Sequence, residues 1–204
     1  MLCLTLGAAP SSLAQAETMR AQADFRGAPA SRDARTVADW AVHSNDSQGR
    51  PFIIVDKAAT EVFVFDRDGR LLGATTALLG LARGDDSAPG VGDKKLSDIA
   101  PHERTTPAGR FVASIGYGLG PRDILWVDYQ TALAMHRTLA ANSPQHRLER
   151  LASSSPRDHR ITFGCINVPT AFYDGVVRPA FMPAGGIVYI LPEVKSITDV
   201  FHIS

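Results

Sequence analysis

The most informative segment of the chain is Ile161-Thr162-Phe163-Gly164-Cys165-Ile166-Asn167-Val168-Pro169. A glycine directly before the cysteine lets the backbone turn tightly and exposes consecutive N–H groups. If a helix begins just after Asn167, those N–H groups lie near its positive end and favour a thiolate. They would also stabilise the oxyanion of an acyl-transfer reaction. The segment makes Cys165 a candidate nucleophile, although a single buried cysteine is otherwise only a small apolar residue.

The number of cysteines depends on how the N-terminus is interpreted. The chain has two, Cys3 and Cys165, which are too few for a disulfide scaffold or a four-cysteine metal site. Residues 1–16 carry no charge, begin with an apolar run and end in small residues, which predicts a signal peptide cleaved after Ala16. The basic residues that usually precede such a run are missing, and the alternative is a buried apolar strand or helix. After cleavage Cys165 would be the one cysteine left, and an unpaired thiol in an oxidising compartment is a candidate for reactivity.

The composition is that of an ordinary globular protein. The 204 residues are 45% hydrophobic and 21% charged, with 21 basic and 21 acidic side chains. Zero net charge argues against a protein that coats nucleic acid or an anionic membrane. The 17 glycines and 13 prolines indicate many turns and therefore a mainly β fold. The length favours one domain of about 150 residues with extensions.

The pattern along the chain divides it into a signal peptide (1–16), an N-terminal arm or linker (17–50), a β-rich domain (51–192) and a C-terminal tail (193–204). The arm includes a short helical pattern near residues 37–42. Strands are predicted where β-branched and aromatic residues cluster, at 52–55, 62–65, 71–80, 109–115, 124–127, 132–135 and 186–191. Residues 81–104 are predicted to form a long loop, and loops of that length in compact domains are often functional. A polar insertion with a short helix is expected at 143–160, and a helix that ends at Pro179 is expected after residue 168.

A nucleophilic cysteine needs a base, and the candidates are the six histidines: His43, His102, His136, His146, His159 and His202. Only His136 ends an apolar strand, where a rigid element can direct its ring. The other five lie in the terminal segments, the long loop or the polar insertion. His136 is therefore the candidate base, and the alternative is a structural histidine with satisfied hydrogen bonds.

Three short motifs resemble those of a known family. Thr162 to Asn167 is similar to the signature of the L,D-transpeptidase (YkuD-type) catalytic domain, which has Ser or Thr, His, Gly-Cys, an apolar residue, and Arg or Asn. Upstream, Thr106-Pro107-Ala108-Gly109-Arg110-Phe111 resembles the family's T-P-x-G-x-F strand entry, and Met135-His136-Arg137-Thr138 its apolar-His-Gly-Thr segment. The motifs follow the family's order. The resemblance implies a mainly β catalytic domain over 51–192, a β-sandwich or mixed sheet with one or two short helices.

The resemblance also implies a role for individual residues. Cys165 would attack the carbonyl of a donor stem peptide, and His136 would serve first as base and then as acid. The backbone carbonyl of Arg137 would orient His136, and the N–H groups of Gly164 and Cys165 would form an oxyanion hole. Substrate contacts are expected from Arg160, Thr162, Phe163 and Asn167, and Asn167 is also expected to support the cysteine loop.

The chain departs from the family pattern in three places. Phe163 stands where the family usually has histidine, which replaces a polar neighbour of the nucleophile with an apolar one. Arg137 stands where glycine is usual and would place a cation beside His136. Residues 143–160 lengthen the segment between the histidine and the cysteine, and their arginines either meet stem-peptide carboxylates or form a solvated surface: Arg147, Arg150, Arg157 and Arg160. The altered motif suggests the branch of the family that forms 1–3 rather than 3–3 crosslinks.

The leading functional hypothesis is an exported L,D-transpeptidase, periplasmic or associated with the cell wall. It would act as a monomer on donor and acceptor peptidoglycan stem peptides, crosslinking them or exchanging a D-amino acid. The alternatives are an L,D-carboxypeptidase or amidase-type hydrolase on the same scaffold, and a non-catalytic wall-binding module with a buried cysteine. The sequence contains no metal-ligand cluster, phosphate loop or nucleic-acid motif, so no cofactor, no nucleic-acid partner and no membrane span are expected.

Overall fold

Ten β-strands carry the fold of the computed structural model, which describes residues 22–118, 120–138 and 145–203. The predicted signal peptide lies outside these ranges. In chain order the strands are β1 (Phe52–Asp56), β2 (Glu61–Phe65), β3 (Leu71–Thr76), β4 (Leu79–Gly80), β5 (Gly109–Tyr117), β6 (Asp123–Asp128), β7 (Leu133–Arg137), β8 (Arg160–Thr162), β9 (Ile166–Val168) and β10 (Gly186–Ile190).

Eight of these strands form one mixed sheet in the order β3-β2-β1-β10-β5-β6-β7-β9, and β4 pairs with β8 in a separate two-stranded sheet. The neighbours β1 and β10 run parallel, as do β7 and β9. The remaining pairs of the large sheet are antiparallel. The prediction of a mainly β protein built on a mixed sheet is confirmed.

Both faces of β1 and β10 are buried, and alternation along β1 divides its side chains between two cores. Ile53 and Val55 belong to the core that also contains Met135 and Ile166, close to the cysteine segment. Phe52 and Ile54 belong to a second core on the opposite face of the sheet. Successive strand residues point to opposite faces. A strand covered on both sides therefore appears in sequence as an uninterrupted apolar run.

The second core is closed by helix α1 (Arg32–His43), within the segment expected to be an arm or linker. Its N-cap Ser31 accepts a hydrogen bond from the Ala34 N–H at 3.1 Å. The buried residues lie at helical spacing on one face: Ala34, Val37, Ala38 and Ala41. This part of the predicted arm therefore packs on the sheet, because these small side chains form an apolar stripe that an Ala/Arg/Asp-rich composition conceals.

The C-terminal segment beyond residue 192 packs on the same layer instead of forming a tail. Helix α5 (Ile197–Phe201) begins at Ser196, whose hydroxyl accepts from the Asp199 N–H at 3.1 Å. Phe201 and Ile203 are buried in the second core. Both ends of the described chain therefore belong to the domain.

Two further helical segments lie between residues 147 and 181. Helix α2 (Arg147–Ala152) occupies the polar insertion. A continuous helical run then consists of α3 (Thr170–Phe172), a π-helix (Tyr173–Val177) and α4 (Arg178–Phe181). The run continues past Pro179, where the sequence predicts its end, and the π-helix lies directly before the turn that contains this proline. No helix in the described ranges has the length and apolarity needed to cross a membrane.

A buried ion cluster, Lys57-Asp85-Arg160-Glu193, ties the end of β1 to the long loop and to the C-terminal segment. The Lys57 ammonium donates to Asp85 Oδ1 at 2.8 Å and to the carbonyl oxygens of Gly84 and Thr106. Asp85 also accepts from three consecutive backbone N–H groups, of residues 193–195. Burial alone would raise the pKa of Asp85, but the hydrogen bonds from Lys57 and these N–H groups lower it to about 2.

Candidate functional site

The cysteine segment is a tight turn between β8 and β9 whose shape is fixed by Thr162. The Thr162 hydroxyl donates to the Cys165 carbonyl oxygen at 2.6 Å and accepts from the Gly164 N–H at 3.2 Å. Gly164 has a φ of +132°, a backbone conformation that side chains disfavour. A Cβ atom at this position would lie 2.9 Å from the carbonyl oxygen of Thr105. Glycine is therefore required before the cysteine both by conformation and by space.

A second threonine anchors this turn to the rest of the domain. The Thr106 hydroxyl donates to the Gly164 carbonyl oxygen at 2.7 Å and accepts from the Gly80 N–H at 2.9 Å. Thr106 is fully buried, and its own carbonyl oxygen accepts from Lys57 at 2.9 Å. The turn that carries Cys165 thus connects through Thr106 to the buried ion cluster.

Cys165 borders a small cavity of about 70 Å³ between this turn and the long loop. Phe163 lines the same cavity, as do Val91, Leu96 and Ile99 of the loop. The thiol lies 3.7 Å from the carbonyl oxygen of Ala132, to which it can donate. Burial raises the pKa of the Cys165 thiol, while a hydrogen bond from the Ala134 N–H and the charge of Arg147 act in the opposite direction. The resting cysteine is therefore a neutral thiol at neutral pH.

His136 lies on the strand next to the cysteine turn, because β7 and β9 pair in parallel with His136 opposite Asn167. Its Nδ1 atom is 3.3 Å from the carbonyl oxygen of Arg137. Its ring also contacts the Asn167 carboxamide, whose Nδ2 atom is 3.0 Å from Nε2 and 3.3 Å from Nδ1. Burial lowers the pKa of His136, the Arg137 carbonyl opposes this effect, and the charge of Arg147 lowers the pKa further. The ring is therefore neutral and able to accept a proton at neutral pH.

Cys165 and His136 border different openings in the protein surface. His136 faces a groove of about 410 Å³, whose lining includes Gly118, Pro121 and Ile124. In the resting structure the contacts of the His136 ring are to Asn167 and the Arg137 carbonyl. The two candidate catalytic side chains thus lie on a turn and on the adjoining strand, Cys165 at a small cavity and His136 at a larger groove.

The four residues expected to contact substrate take different places. Phe163 lines the cysteine cavity, with the guanidinium of Arg104 4.1 Å from its ring centroid. Thr162 and Asn167 are buried, and their side chains support the turn and the histidine. Arg160 belongs to the buried ion cluster, where it donates to Glu193 and to the Lys57 carbonyl oxygen. For the last three residues this placement argues against a direct substrate contact.

The arginine next to His136 also differs from expectation. The Arg137 guanidinium turns away from the histidine and bonds to Asp123 and Asp174. It also lies 4.1 Å from the ring centroid of Tyr173. The charge of the cation next to His136 is therefore compensated by two carboxylates.

Arg147 is the arginine of the insertion that reaches the site. Its guanidinium donates to Asn167 Oδ1, and its Nε donates to Gln145 Oε1 at 2.8 Å. Its charge acts on both Cys165 and His136. The sequence places it among four arginines of one polar segment, and nothing local separates it from Arg150, which bonds to backbone carbonyls of residues 145 and 158.

No group of three or more His, Cys, Asp or Glu side chains suited to a metal ion occurs in the described residues. Neither a protein-family model nor a curated protein matches the chain. Solved structures similar in fold include an L,D-transpeptidase from Xylanimonas cellulosilytica, with 18% identity and a TM-score of 0.41 over 69% of this chain and 60% of that one.

Two further solved structures are similar to the chain. The helical cell shape determining protein Pgp2 from Campylobacter jejuni has 14% identity and a TM-score of 0.47, over 72% of this chain and 49% of that one. The catalytic domain of an L,D-transpeptidase from E. faecium has 13% identity and a TM-score of 0.40, over 70% of this chain and 98% of that one. The chain thus spans less than two thirds of the Xylanimonas and Campylobacter chains.

Proposed function

We propose that the chain is a cysteine-dependent L,D-transpeptidase that acts on peptidoglycan stem peptides. The observation that carries the proposal is the constrained Gly164–Cys165 turn, which presents a thiol at a cavity with a neutral histidine on the adjoining strand. Nucleophilic catalysis by cysteine needs such a combination of an accessible sulfur and a nearby base. The three sequence motifs contribute the residues of this arrangement in the order expected for the family.

The proposed reaction starts from a neutral thiol and a neutral imidazole. His136 accepts the Cys165 proton as sulfur attacks the donor carbonyl carbon, and then delivers that proton to the nitrogen of the departing D-amino acid. An acceptor amine next attacks the thioester, His136 takes its proton, and the Cys165 sulfur leaves and is reprotonated. Catalytic hydrogen bonds are often long in resting structures and shorten when substrate binds. The lack of a direct bond between His136 and the thiol at rest is compatible with this sequence.

Oxyanion stabilisation is assigned in the proposal to the N–H groups of Gly164 and Cys165. In the resting structure the Gly164 N–H donates to the Thr162 hydroxyl at 3.2 Å, a long hydrogen bond. The developing oxyanion would compete for this donor, because a charged acceptor forms the stronger bond. The Ala134 N–H, which lowers the thiol pKa, would stabilise the thiolate as it forms and leaves.

The groove beside His136 offers space for an acceptor. Its lining is largely apolar, and it opens on the side of the base rather than on the side of the cysteine cavity. A donor held at the cysteine would leave this groove for a second stem peptide, whose amine His136 could deprotonate. An oriented amine outcompetes water only where water is excluded, so exclusion of water from the occupied groove is the property that separates transfer from hydrolysis.

Incubation of the purified protein with muropeptides, followed by mass spectrometry, tests the proposal. Crosslinked dimers or exchanged D-amino acids are the expected products, and fragmentation would assign 3–3 or 1–3 links. Trimmed monomers alone would establish the hydrolase instead, and unchanged muropeptides would favour the wall-binding module. Cys165→Ala, checked for folding by circular dichroism, should form no product. A C165A variant with wild-type turnover would refute the nucleophile.

The same proposal implies an exported protein, since peptidoglycan stem peptides are crosslinked outside the cytoplasm. Cell fractionation with an antibody or a C-terminal tag tests this location, and mass spectrometry of the mature N-terminus tests cleavage after Ala16. A chain recovered at full length in the cytoplasm would contradict it.

A further inference from the structure

Arg147 is placed to control the orientation of a buried carboxamide. It is the first residue of α2, and its guanidinium extends from the insertion to Asn167 on β9. Asn167 is fully buried, and its backbone N–H and carbonyl oxygen are both bonded to Leu78. The backbone of Asn167 is thereby fixed, and the remaining variable at this position is which end of the carboxamide faces the histidine.

The hydrogen-bond partners determine this orientation. A guanidinium can only donate, so the carboxamide must direct its oxygen to Arg147. The Nδ2 atom then faces His136, and an amide nitrogen can also only donate. One nitrogen of the His136 ring must therefore be unprotonated to accept from it.

The other contact of the ring identifies which nitrogen this is. A backbone carbonyl oxygen only accepts, so the Nδ1 atom, 3.3 Å from the Arg137 oxygen, carries the proton. Asn167 Nδ2 lies 3.3 Å from Nδ1 and closer, at 3.0 Å, to Nε2, and the nitrogen without a proton, Nε2, is then the acceptor. The bonds from Arg147 to Asn167 and from Asn167 to His136 thus specify one tautomer, with its basic nitrogen at Nε2.

We propose that Arg147 is a positioning residue that, through Asn167, holds His136 in the tautomer protonated at Nδ1 and basic at Nε2. The inference deepens the proposed function and rests on it only for the role of His136 as the base. Histidine tautomers are commonly fixed by the group bonded to the second nitrogen, and here both nitrogens are held. The insertion between His136 and Cys165 thereby contributes to the site through Arg147.

Arg147 also sets the charge around the ring. The groups near His136 are Cys165 before β9, Arg137 on its own strand, Arg122 and Asp123 in the groove, and Arg147 on α2. Arg137 is compensated by Asp123 and Asp174, so its charge is balanced locally. Removing Arg147 should therefore raise the pKa of His136 as well as release the carboxamide.

The decisive experiment is ¹⁵N NMR of the histidine rings in the resting protein, with His136→Gln to identify the signals of His136. The wild type should show the Nδ1–H tautomer. Arg147→Met should shift the signals towards a tautomer mixture and move the titration of His136 to higher pH. Arg147→Lys, which keeps the charge and one donor, should restore the titration and part of the tautomer preference.

Kinetics supply a second readout. Arg147→Met should lower kcat by about 10- to 100-fold with KM little changed, which is less than the loss expected when a tautomer is wholly wrong, because Arg137 still holds Nδ1. The control is Arg150→Met, which removes another arginine of α2 that bonds to the backbone carbonyls of residues 145 and 158. Wild-type ring signals in R147M, or equal effects of R150M, would overturn the inference. Because the NMR measurement needs no turnover, an inactive protein with these ring signals would refute the proposed function alone.

Discussion

Replacing Lys57 with methionine should destabilise the domain more than any change of a surface charge. Lys57 is fully buried, and its ammonium donates to three oxygens, those of Gly84, Asp85 and Thr106. Methionine fills a similar volume but leaves the Asp85 carboxylate, whose side chain is 1% exposed, without its cation. Breaking one partner of a buried ion pair typically costs about 3–5 kcal/mol. For a chain of this size the melting temperature should fall by about 6–20 °C.

Thermal unfolding followed by circular dichroism measures this effect, with Lys195→Met as the matched control. Lys195 also pairs with an aspartate, Asp86, but both side chains are largely exposed. Surface pairs of this kind contribute little, so K195M should melt close to the wild type. If K57M had the same melting temperature as K195M, the cluster would not stabilise the fold. The thiol of K57M should also react faster, because Thr106 joins Lys57 to the cysteine turn.

The same cluster predicts a pH dependence of stability. Because the pKa of Asp85 in the folded protein is about 2, below its ordinary value of 3.8, its stabilisation is complete above about pH 4. It is lost as the pH falls through about 2. The difference between the two values corresponds to about 2 kcal/mol. Urea unfolding of the wild type and of Asp85→Asn between pH 5 and about 2 should show the gap between them closing as the pH falls; a constant gap would contradict the assignment.

Three further predictions concern the site itself. His136→Ala should lower the rate by about 10²–10⁴-fold. Because burial lowers the pKa of His136 below 6.5, the acid limb of the wild-type pH profile of kcat/KM should lie below pH 6.5. An acid limb above that value would mean that another group is the base. Gly164→Ala should cost about 1–3 kcal/mol of stability, because its Cβ meets the Thr105 carbonyl, and normal melting with full activity would disprove the constraint. Phe163→His should change the muropeptide product profile more than the melting temperature, although it weakens the contact with Arg104; an unchanged profile would make the substitution neutral.

The sequence predicts the long strands well because their signals are local. The runs 52–55 and 62–65 are apolar and β-branched, and the turn between β2 and β3 carries the Asp-Gly signal of a hairpin. The three-residue strands β8 and β9 are not predictable in this way. Their pairing, β9 parallel to β7, depends on contacts between segments far apart in the chain.

The candidate site also contains residues that local sequence signals predict and residues that they do not. The Gly-Cys pair and the strand-end histidine are recognisable because backbone conformation and strand position demand those residue types locally. Arg160 lies five positions from Cys165, yet its guanidinium is committed to Glu193, and no local pattern indicates that choice. The pairing of Lys57 with Asp85 likewise joins residues 28 positions apart and becomes visible only when the long loop is folded.

The position of β10 within the sheet has a consequence for how the chain folds. In the strand order, β3-β2-β1 on one side and β5-β6-β7-β9 on the other are joined by β10, which is the last strand of the sequence. The N-terminal and central parts can form hairpins as they leave the ribosome, but within the large sheet they cannot be joined until residues 186–190 are available. Sheets completed by such distant pairing assemble slowly. Completion of the large sheet should therefore be a late event in folding, and a chain that ends before β10 should have two halves joined through the β4–β8 pair but not through the large sheet.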